Sequence, residues 1–144
     1  MRALNIPMRR ALALPYAIPP SRRLMLLFVT GRKSGRAYQV PLSYVRDGDA
    51  LLTPGGGRWT HNLVDGRAER IRLGGRDIQA RAEIVSDVDT VDDLLETIVR
   101  GNPMAGRFVA IPRGADGRLD RTRLSAAIAH GFRVIRWHPQ PAAA

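Results

Sequence analysis

Three cations lie close together in the stretch Gly31–Arg36, and their setting indicates an anion site. Arg32, Lys33 and Arg36 supply the charge, Ser34 adds a hydroxyl, and a glycine at each side lets the backbone turn tightly and present its N–H groups. Such a combination binds a phosphate or a carboxylate. An ordinary hairpin turn with solvated charges is the alternative, and the glycine–lysine spacing of a Walker loop is absent.

A second candidate follows in the stretch Gly55–Arg58, which reads Gly-Gly-Gly-Arg. Consecutive glycines are unfavourable in conformational entropy, so they indicate a backbone that must approach something closely, such as a ring or a phosphate; a flexible loop is the alternative. Trp59 and Asn62 come next, and their spacing of three places them on one face of a short helical turn. We expect the basic turn and this segment to converge on one anionic, ring-bearing molecule.

Two side chains could donate a proton to a substrate. Tyr44 follows an alternating apolar run, and His61 stands beside Asn62. Each also has an ordinary explanation, Tyr44 as a strand residue packed on the core and His61 as a solvated side chain. The catalytic residue therefore remains unassigned. The chain has no cysteine, and His130 and His138 have no carboxylate partner in view, so we expect no metal site.

The elements that must position these residues are mostly hairpin strands. Leu24–Val29 is a nearly continuous apolar run, and Ala37–Val45 alternates as one half-buried strand. An Asp47-Gly48 turn leads to Ala50–Thr53. Three more strands are predicted: Arg67–Leu73 and Arg76–Val85, joined by two glycines, and the final strand Phe132–Trp137.

Helices are predicted late in the chain. Asp89 or Thr90 is suited to cap a helix that stops at Gly101, and Asp120 is suited to cap a second one over residues 121–130. Tight antiparallel hairpins favour a sheet that closes on itself as a small barrel. We expect an α+β fold in a single domain over residues 1–144: an N-terminal helix and lead-in (1–20), a six-stranded antiparallel barrel with inserted helices (21–138) and a frayed tail (139–144).

The charge and hydropathy of the chain limit its partners. The formal net charge is +10, but every basic residue except Lys33 is an arginine, and the arginines are scattered between apolar residues. Scattered charge is typical of a solvated surface, so we do not expect nucleic acid as a partner. No apolar run is long enough to span a bilayer, which favours a cytoplasmic protein. At most, the N-terminal segment Met1–Arg10 would touch an anionic membrane surface.

The motifs together resemble one known family. Leu27–Arg36, Val40–Leu42 and Tyr44–Gly48, with the glycine-rich stretch and the Trp59-x-x-Asn62 element, closely resemble the deazaflavin-dependent nitroreductase and quinone reductase family. The resemblance covers Arg23 to Ser86, with the final strand fitting as the last strand of the family's barrel. It implies a split β-barrel of the FMN-binding kind with flanking helices.

The resemblance also implies a cofactor and a reaction. The cofactor would be the deazaflavin coenzyme F420, with FMN as the alternative, and the reaction would be hydride transfer to a quinone, a nitroaromatic compound or a similar acceptor. Related barrels are commonly dimers, so a homodimer is expected. The matching contact residues are Arg32, Lys33 and Ser34 for the phosphate and acidic tail; Val40 and Pro41 beside the ring; Gly55, Gly56, Gly57 and Arg58 along the phosphodiester; and Trp59 and Asn62 on the helical turn behind it.

The sequence departs from the family pattern in two places. Thr53 and Pro54 precede the glycines where other members often have a serine–lysine pair, which removes a cation from the phosphate path. There is also no tyrosine cluster near the C-terminus to donate a proton. A cofactor-binding or carrier protein without turnover is therefore a second hypothesis.

Overall fold

The computed structural model describes residues 24–102 and 112–141. Within these ranges the chain forms seven strands, a short 3-10 helix and two α-helices. In chain order they are β1 (Leu24–Thr30), β2 (Ala37–Ser43), β3 (Val45–Asp47), β4 (Ala50–Gly55), the 3-10 helix (Arg58–Asn62), β5 (Ala68–Leu73), β6 (Arg76–Val85), α1 (Val88–Gly101), α2 (Arg121–Ala129) and β7 (Arg133–Pro139).

The strands form one antiparallel sheet in the order β2-β1-β5-β6-β7-β4-β3. The two outermost strands, β2 and β3, follow each other in the chain and are separated only by Tyr44. A single residue cannot cross a flat sheet of this width, so the sheet curls until its two edges approach each other. This confirms the antiparallel barrel predicted from the hairpin pattern.

The predicted strand Ala37–Val45 is wrong in one respect, because the structure divides it at Tyr44. Residues before this corner pair with β1, and residues after it pair with β4. The division raises the number of strands from the expected six to seven. The alternating pattern continues as far as Tyr44, where the apolar Val45 follows directly, and closure of the barrel imposes the break there.

Glycines at the tips of the hairpins fix the register of the strands. Gly74 and Gly75 join β5 to β6 with φ values of 58° and 80°. This left-handed pair is the two-residue turn whose twist matches that of the flanking strands. The predicted strand Arg76–Val85 and the hairpin that contains it are therefore confirmed.

Apolar side chains on the inner side of the curled sheet form one core cluster. Leu27, Ile71, Ala82, Ile135 and Trp137 belong to it and have no exposed surface. They come from four different strands and alternate with outward-facing neighbours, as the two-residue period requires. Burial of these side chains holds the curled sheet together.

α1 covers the outer side of the sheet around β3, β4 and β7, and α2 packs against α1. Val91, Leu95 and Ile98 of α1 pack there against Leu52 and Val134. This second cluster explains why β4 and β7 are apolar on both faces, since one face meets the barrel interior and the other meets α1.

The helix boundaries differ from the prediction at one cap. Asp87, rather than Asp89 or Thr90, caps α1, and its carboxylate accepts the backbone N–H of Thr90 at 3.0 Å. Asp120 caps α2 as predicted and accepts the N–H of Arg123 at 3.0 Å. Both caps follow the same rule, in which a short acidic side chain satisfies an N–H group of the first turn.

The end of the chain is ordered further than expected. Pro139 is the last residue of β7, and the backbone N–H of Gln140 donates to Gln79 O at 2.8 Å. The prediction of a frayed tail is therefore wrong for these two residues. The predicted N-terminal helix lies outside the described residues. In the described part of the chain, no helix has both the length and the apolar character needed to cross a bilayer.

Candidate functional site

The basic turn between β1 and β2 is a closed loop. The Gly31 N–H donates to Arg36 O at 2.8 Å, and the Gly35 N–H donates to Gly31 O at 2.9 Å. Ser34 Oγ accepts the Arg36 N–H at 3.2 Å. Gly35 has a φ of 69°, which favours glycine, and a Cβ atom at residue 31 would lie 2.7 Å from Ser34 Oγ and would force that hydroxyl to move.

The loop leaves its charged groups available to a ligand. The side chains of Arg32, Lys33 and Arg36 are exposed. Among residues 24–102 and 112–141, the backbone N–H groups of Lys33 and Ser34 have no protein acceptor. Exposed cations beside two neighbouring free N–H groups form a cradle for an anion.

The 3-10 helix confirms the helical turn predicted for Trp59 and Asn62. Thr60 anchors it, because its backbone N–H donates to Gly57 O at 3.0 Å and its buried hydroxyl oxygen accepts the Gly56 N–H at 2.8 Å. Trp59 packs against the inner core cluster. The helix therefore closes one end of the barrel.

Asn62 joins this helix to the basic turn. Its Oδ1 accepts the backbone N–H of Arg32 at 2.8 Å, and the Arg32 guanidinium donates to the carbonyl of His61 at 3.1 Å. On the other side of the amide, Nδ2 donates to the Tyr38 hydroxyl at 2.6 Å and more weakly to Arg58 O at 3.4 Å. The basic turn is therefore in direct contact with the 3-10 helix that follows the glycine run.

The glycine run packs closely against other residues of the protein itself. A Cβ atom at residue 56 would lie 3.0 Å from both Gly131 O and Phe132 Cα, and Gly56 has a φ of 119°. A Cβ atom at Gly55 would lie 3.2 Å from the hydroxyl of Thr60. These two glycines are explained by packing against the protein's own backbone. The residues of the run that remain exposed are Gly57 and Arg58.

Val40 and Pro41 point to opposite faces of β2. Val40 packs against the inner core cluster, whereas Pro41 lies opposite Leu26 on the outer side of β1. Both are half-buried. Because neighbouring side chains of a strand alternate, only one of the two can face a given ligand.

Neither proton-donor candidate has its polar group in the contact between the two segments. Tyr44 is 9% exposed in the inner core cluster, and burial raises the pKa of its phenol, while Arg46 opposes the shift. Its Cα is about 20 Å along the strand from that of Tyr38, given the rise per residue of a strand. His61 is exposed, and the group it contributes to the contact is its backbone carbonyl.

A groove of about 600 Å³ lies on the outer face of β2, β1, β5 and β6. Phe28, Gln39, Arg70 and Gln79 line it, and the Arg70 guanidinium stands 3.9 Å from the centre of the Phe28 ring. The groove borders the basic turn through Thr30. Tyr38 is also among the residues that line it, and its side chain packs against the inner core cluster.

Two side-chain contacts of the barrel strands were not visible in the sequence. Thr53, where the family pattern differs, has its hydroxyl oxygen 3.0 Å from the indole nitrogen of Trp137, and both residues are fully buried. His138 has a carboxylate partner after all, Glu83, at 2.7 Å. No group of three metal-ligating side chains occurs in the parts of the chain that the structure describes.

A curled antiparallel sheet with helices on its outer side defines the split β-barrel class. Solved structures confirm the fold. A protein from Bacteroides thetaiotaomicron, described as a 5-nitroimidazole antibiotic resistance protein, is 14% identical with a TM-score of 0.56, over 83% of this chain and 74% of its own. A Listeria innocua protein of the pyridoxamine 5′-phosphate oxidase type is 15% identical with a TM-score of 0.53, over 96% and 94%.

A third similar structure, described as a domain-swapped dimer, is 15% identical with a TM-score of 0.55, over 94% of this chain and 97% of its own. The chain belongs to the F420H(2)-dependent quinone reductase family, whose model matches residues 10–108. This is a family of deazaflavin-dependent reductases, as the motif resemblance indicates. Comparison with curated protein sequences gives no match.

Proposed function

We propose that this protein binds coenzyme F420 where the basic turn meets the 3-10 helix, and that it passes a hydride from the reduced coenzyme to a quinone, a nitroaromatic compound or a similar acceptor. The observation that carries the proposal is the hydrogen bond between Arg32 and Asn62. It supports the proposal because it brings two segments that match the family's cofactor contacts together at one end of the barrel.

The groups at this end suit the anionic part of the coenzyme. The side chains of Arg32, Lys33, Arg36 and Arg58 are exposed, and the loop offers two N–H groups with no acceptor among the described residues. Arginine binds phosphate and carboxylate oxygens in pairs, and lysine adds a point charge. A phosphate and an acidic tail are the ligands that such a set prefers.

The protein's contribution to the reaction is position and electrostatics. When bound, the coenzyme supplies the hydride. Lys33 and Ser34 would hold its phosphate, Gly57 and Arg58 would run along the phosphodiester, and Trp59 would support the helical turn behind it. Val40 or Pro41, but not both, would face the ring.

Catalytic turnover is tested with the purified chain, reduced F420 and menadione. We expect many cycles of coenzyme oxidation per protein molecule, at a rate well above that of the coenzyme and menadione alone. Binding of F420 with a single stoichiometric oxidation, or none, would support the carrier hypothesis instead. Tight binding of FMN without binding of F420 would replace the cofactor in this proposal.

We further propose that the protein is a homodimer. The similar structure described as a domain-swapped dimer supports this assembly. Light scattering coupled to gel filtration should give twice the chain mass of 15.9 kDa. A monomer over a range of protein concentrations would contradict the proposal.

A further inference from the structure

The orientation of the Asn62 side-chain amide is fixed by its neighbours. The backbone N–H of Arg32 is a donor only, so the Asn62 atom that faces it at 2.8 Å must be the oxygen. The amide nitrogen then faces the Tyr38 hydroxyl at 2.6 Å and the Arg58 carbonyl at 3.4 Å. A flipped amide would place two donors against each other at Arg32 and two oxygens against each other at Arg58.

This orientation determines what the Tyr38 hydroxyl can do. Because Asn62 Nδ2 is a donor, the phenolic oxygen of Tyr38 accepts, and its own proton is not used in that contact. No acceptor for this proton occurs among residues 24–102 and 112–141. The residue Tyr38 is half-buried, and a polar group that is shielded from water normally has a partner.

The surroundings of Tyr38 indicate the chemistry of that partner. The hydroxyl lies beside the Asn62 amide, which also holds the basic turn with its cations Arg32, Lys33 and Arg36. A positively charged surrounding favours a negatively charged acceptor. An anionic oxygen would therefore suit the remaining proton of Tyr38 best.

We propose that the Tyr38 hydroxyl donates a hydrogen bond to an anionic oxygen of the bound cofactor, and that Asn62 is the positioning residue that directs it there. This inference rests on the proposed function, because it takes the cofactor's phosphate or acidic tail as the acceptor. Tyr38 is not among the contacts that the motif resemblance supplies. It adds a neutral donor to the cations and the free N–H groups of the turn.

The first test is a fluorescence titration of oxidised F420 into wild type and Tyr38→Phe. Loss of a hydrogen bond to a charged acceptor should weaken binding about tenfold or more. Ser43→Ala, which removes a hydroxyl from the other end of the same strand, should bind like wild type. Melting temperatures of all variants show whether each is folded. Equal affinity of Tyr38→Phe and wild type would overturn the inference.

A double-mutant cycle separates hydrogen bonding from a merely structural role. In Asn62→Asp, one carboxylate oxygen can still accept the Arg32 N–H, while the other accepts the Tyr38 proton and withdraws it from the ligand. Adding Tyr38→Phe to Asn62→Asp should then weaken binding less than twofold. The added negative charge is present in both arms and cancels in the comparison. The same loss in both backgrounds would overturn the inference.

The outcome for wild type separates this inference from the proposed function. If wild type binds F420 and Tyr38→Phe binds it equally, the proposed function stands and the role of Tyr38 is wrong. If wild type binds FMN and not F420, the proposed cofactor is wrong, and the cycle is run on FMN with the same expected result. If wild type binds neither molecule, both proposals are overturned.

Discussion

The Oδ1 atom of Asn62 lies 2.8 Å from the backbone nitrogen of Arg32, and this hydrogen bond joins segments thirty residues apart in the chain. The same amide reaches the hydroxyl of Tyr38 on strand β2. One short side chain thus connects the basic turn, the strand that follows it and the 3-10 helix. The geometry of the proposed anion site depends on this connection.

Removal of the amide should loosen that connection. In Asn62→Ala, Arg32 loses the acceptor for its N–H group, and we expect the free energy of unfolding to fall by about 1–2 kcal/mol. F420 binding should weaken by more than the loss of one contact accounts for, because the turn is no longer held in place. Urea denaturation and fluorescence titration measure the two effects. An Asn62→Ala protein with wild-type affinity would show that the connection does not organise the site.

Within the glycine run, substitution by alanine should destabilise the protein at Gly56 but hardly at Gly57. Gly56→Ala forces a side chain into a left-handed backbone, 3.0 Å from Gly131 O, and should lower the free energy of unfolding by about 2–3 kcal/mol. Gly57→Ala is the matched control, because the backbone there is extended, with a φ of −81°, and its Cβ would be in ordinary contact with Trp59. Its effect should stay within about 0.5 kcal/mol. Equal effects in urea denaturation would contradict this account of the run.

Thr53 should stabilise the barrel through its hydroxyl oxygen. Thr53→Val keeps the shape but leaves the buried indole N–H of Trp137 without an acceptor, which should cost about 1–3 kcal/mol in unfolding free energy. Thr53→Ser retains the acceptor. The proton resonance of the Trp137 indole N–H should move upfield in the valine variant and stay close to its wild-type position in the serine variant. An unchanged resonance in both would exclude the hydrogen bond.

Asp77 should give the protein a small dependence of stability on pH in acid. A hydrogen bond from Arg72, together with the charges of Arg72 and Arg70, holds the pKa of its carboxyl below the usual range. The stabilisation is therefore complete above the unfolded pKa of about 3.9 and is lost as the pH falls through the lower folded value.

The matched variant for this effect is Asp77→Asn. The Asp77 side chain is 38% exposed, so solvent screening limits the difference in unfolding free energy from wild type to about 0.5 kcal/mol at neutral pH. The difference should shrink in acid and in high salt. Urea denaturation at several pH values tests this. If the difference in unfolding free energy between wild type and Asp77→Asn grows as the pH falls, the prediction is wrong.

Much of the fold follows from local signals. The hairpin of β5 and β6 was predictable because two adjacent glycines separate two alternating runs, and α2 because Asp120 stands directly before it. The cap of α1 was assigned two or three residues too late. The chain offers several acids in succession there, and only the geometry shows that Asp87 faces the first-turn N–H groups.

Other features depend on tertiary structure and leave no distinct pattern. The corner at Tyr44 follows from barrel closure, and its one local trace is the pair of buried neighbours Tyr44 and Val45 within an alternating run. Tyr38 has the ordinary spacing of a strand residue, and its contact with Asn62 becomes visible only when β2 and the 3-10 helix are brought together.

The central claim is that the basic turn binds the anionic part of F420, and its most direct test is a titration of oxidised F420 into wild type, Lys33→Gln and Arg76→Gln. Each variant loses one exposed positive charge, but Arg76 lies at the tip of the β5–β6 hairpin, outside the turn. We predict that Lys33→Gln weakens binding about tenfold, while Arg76→Gln changes it less than twofold. Equal affinities of the two variants, or no binding by wild type, would contradict the claim.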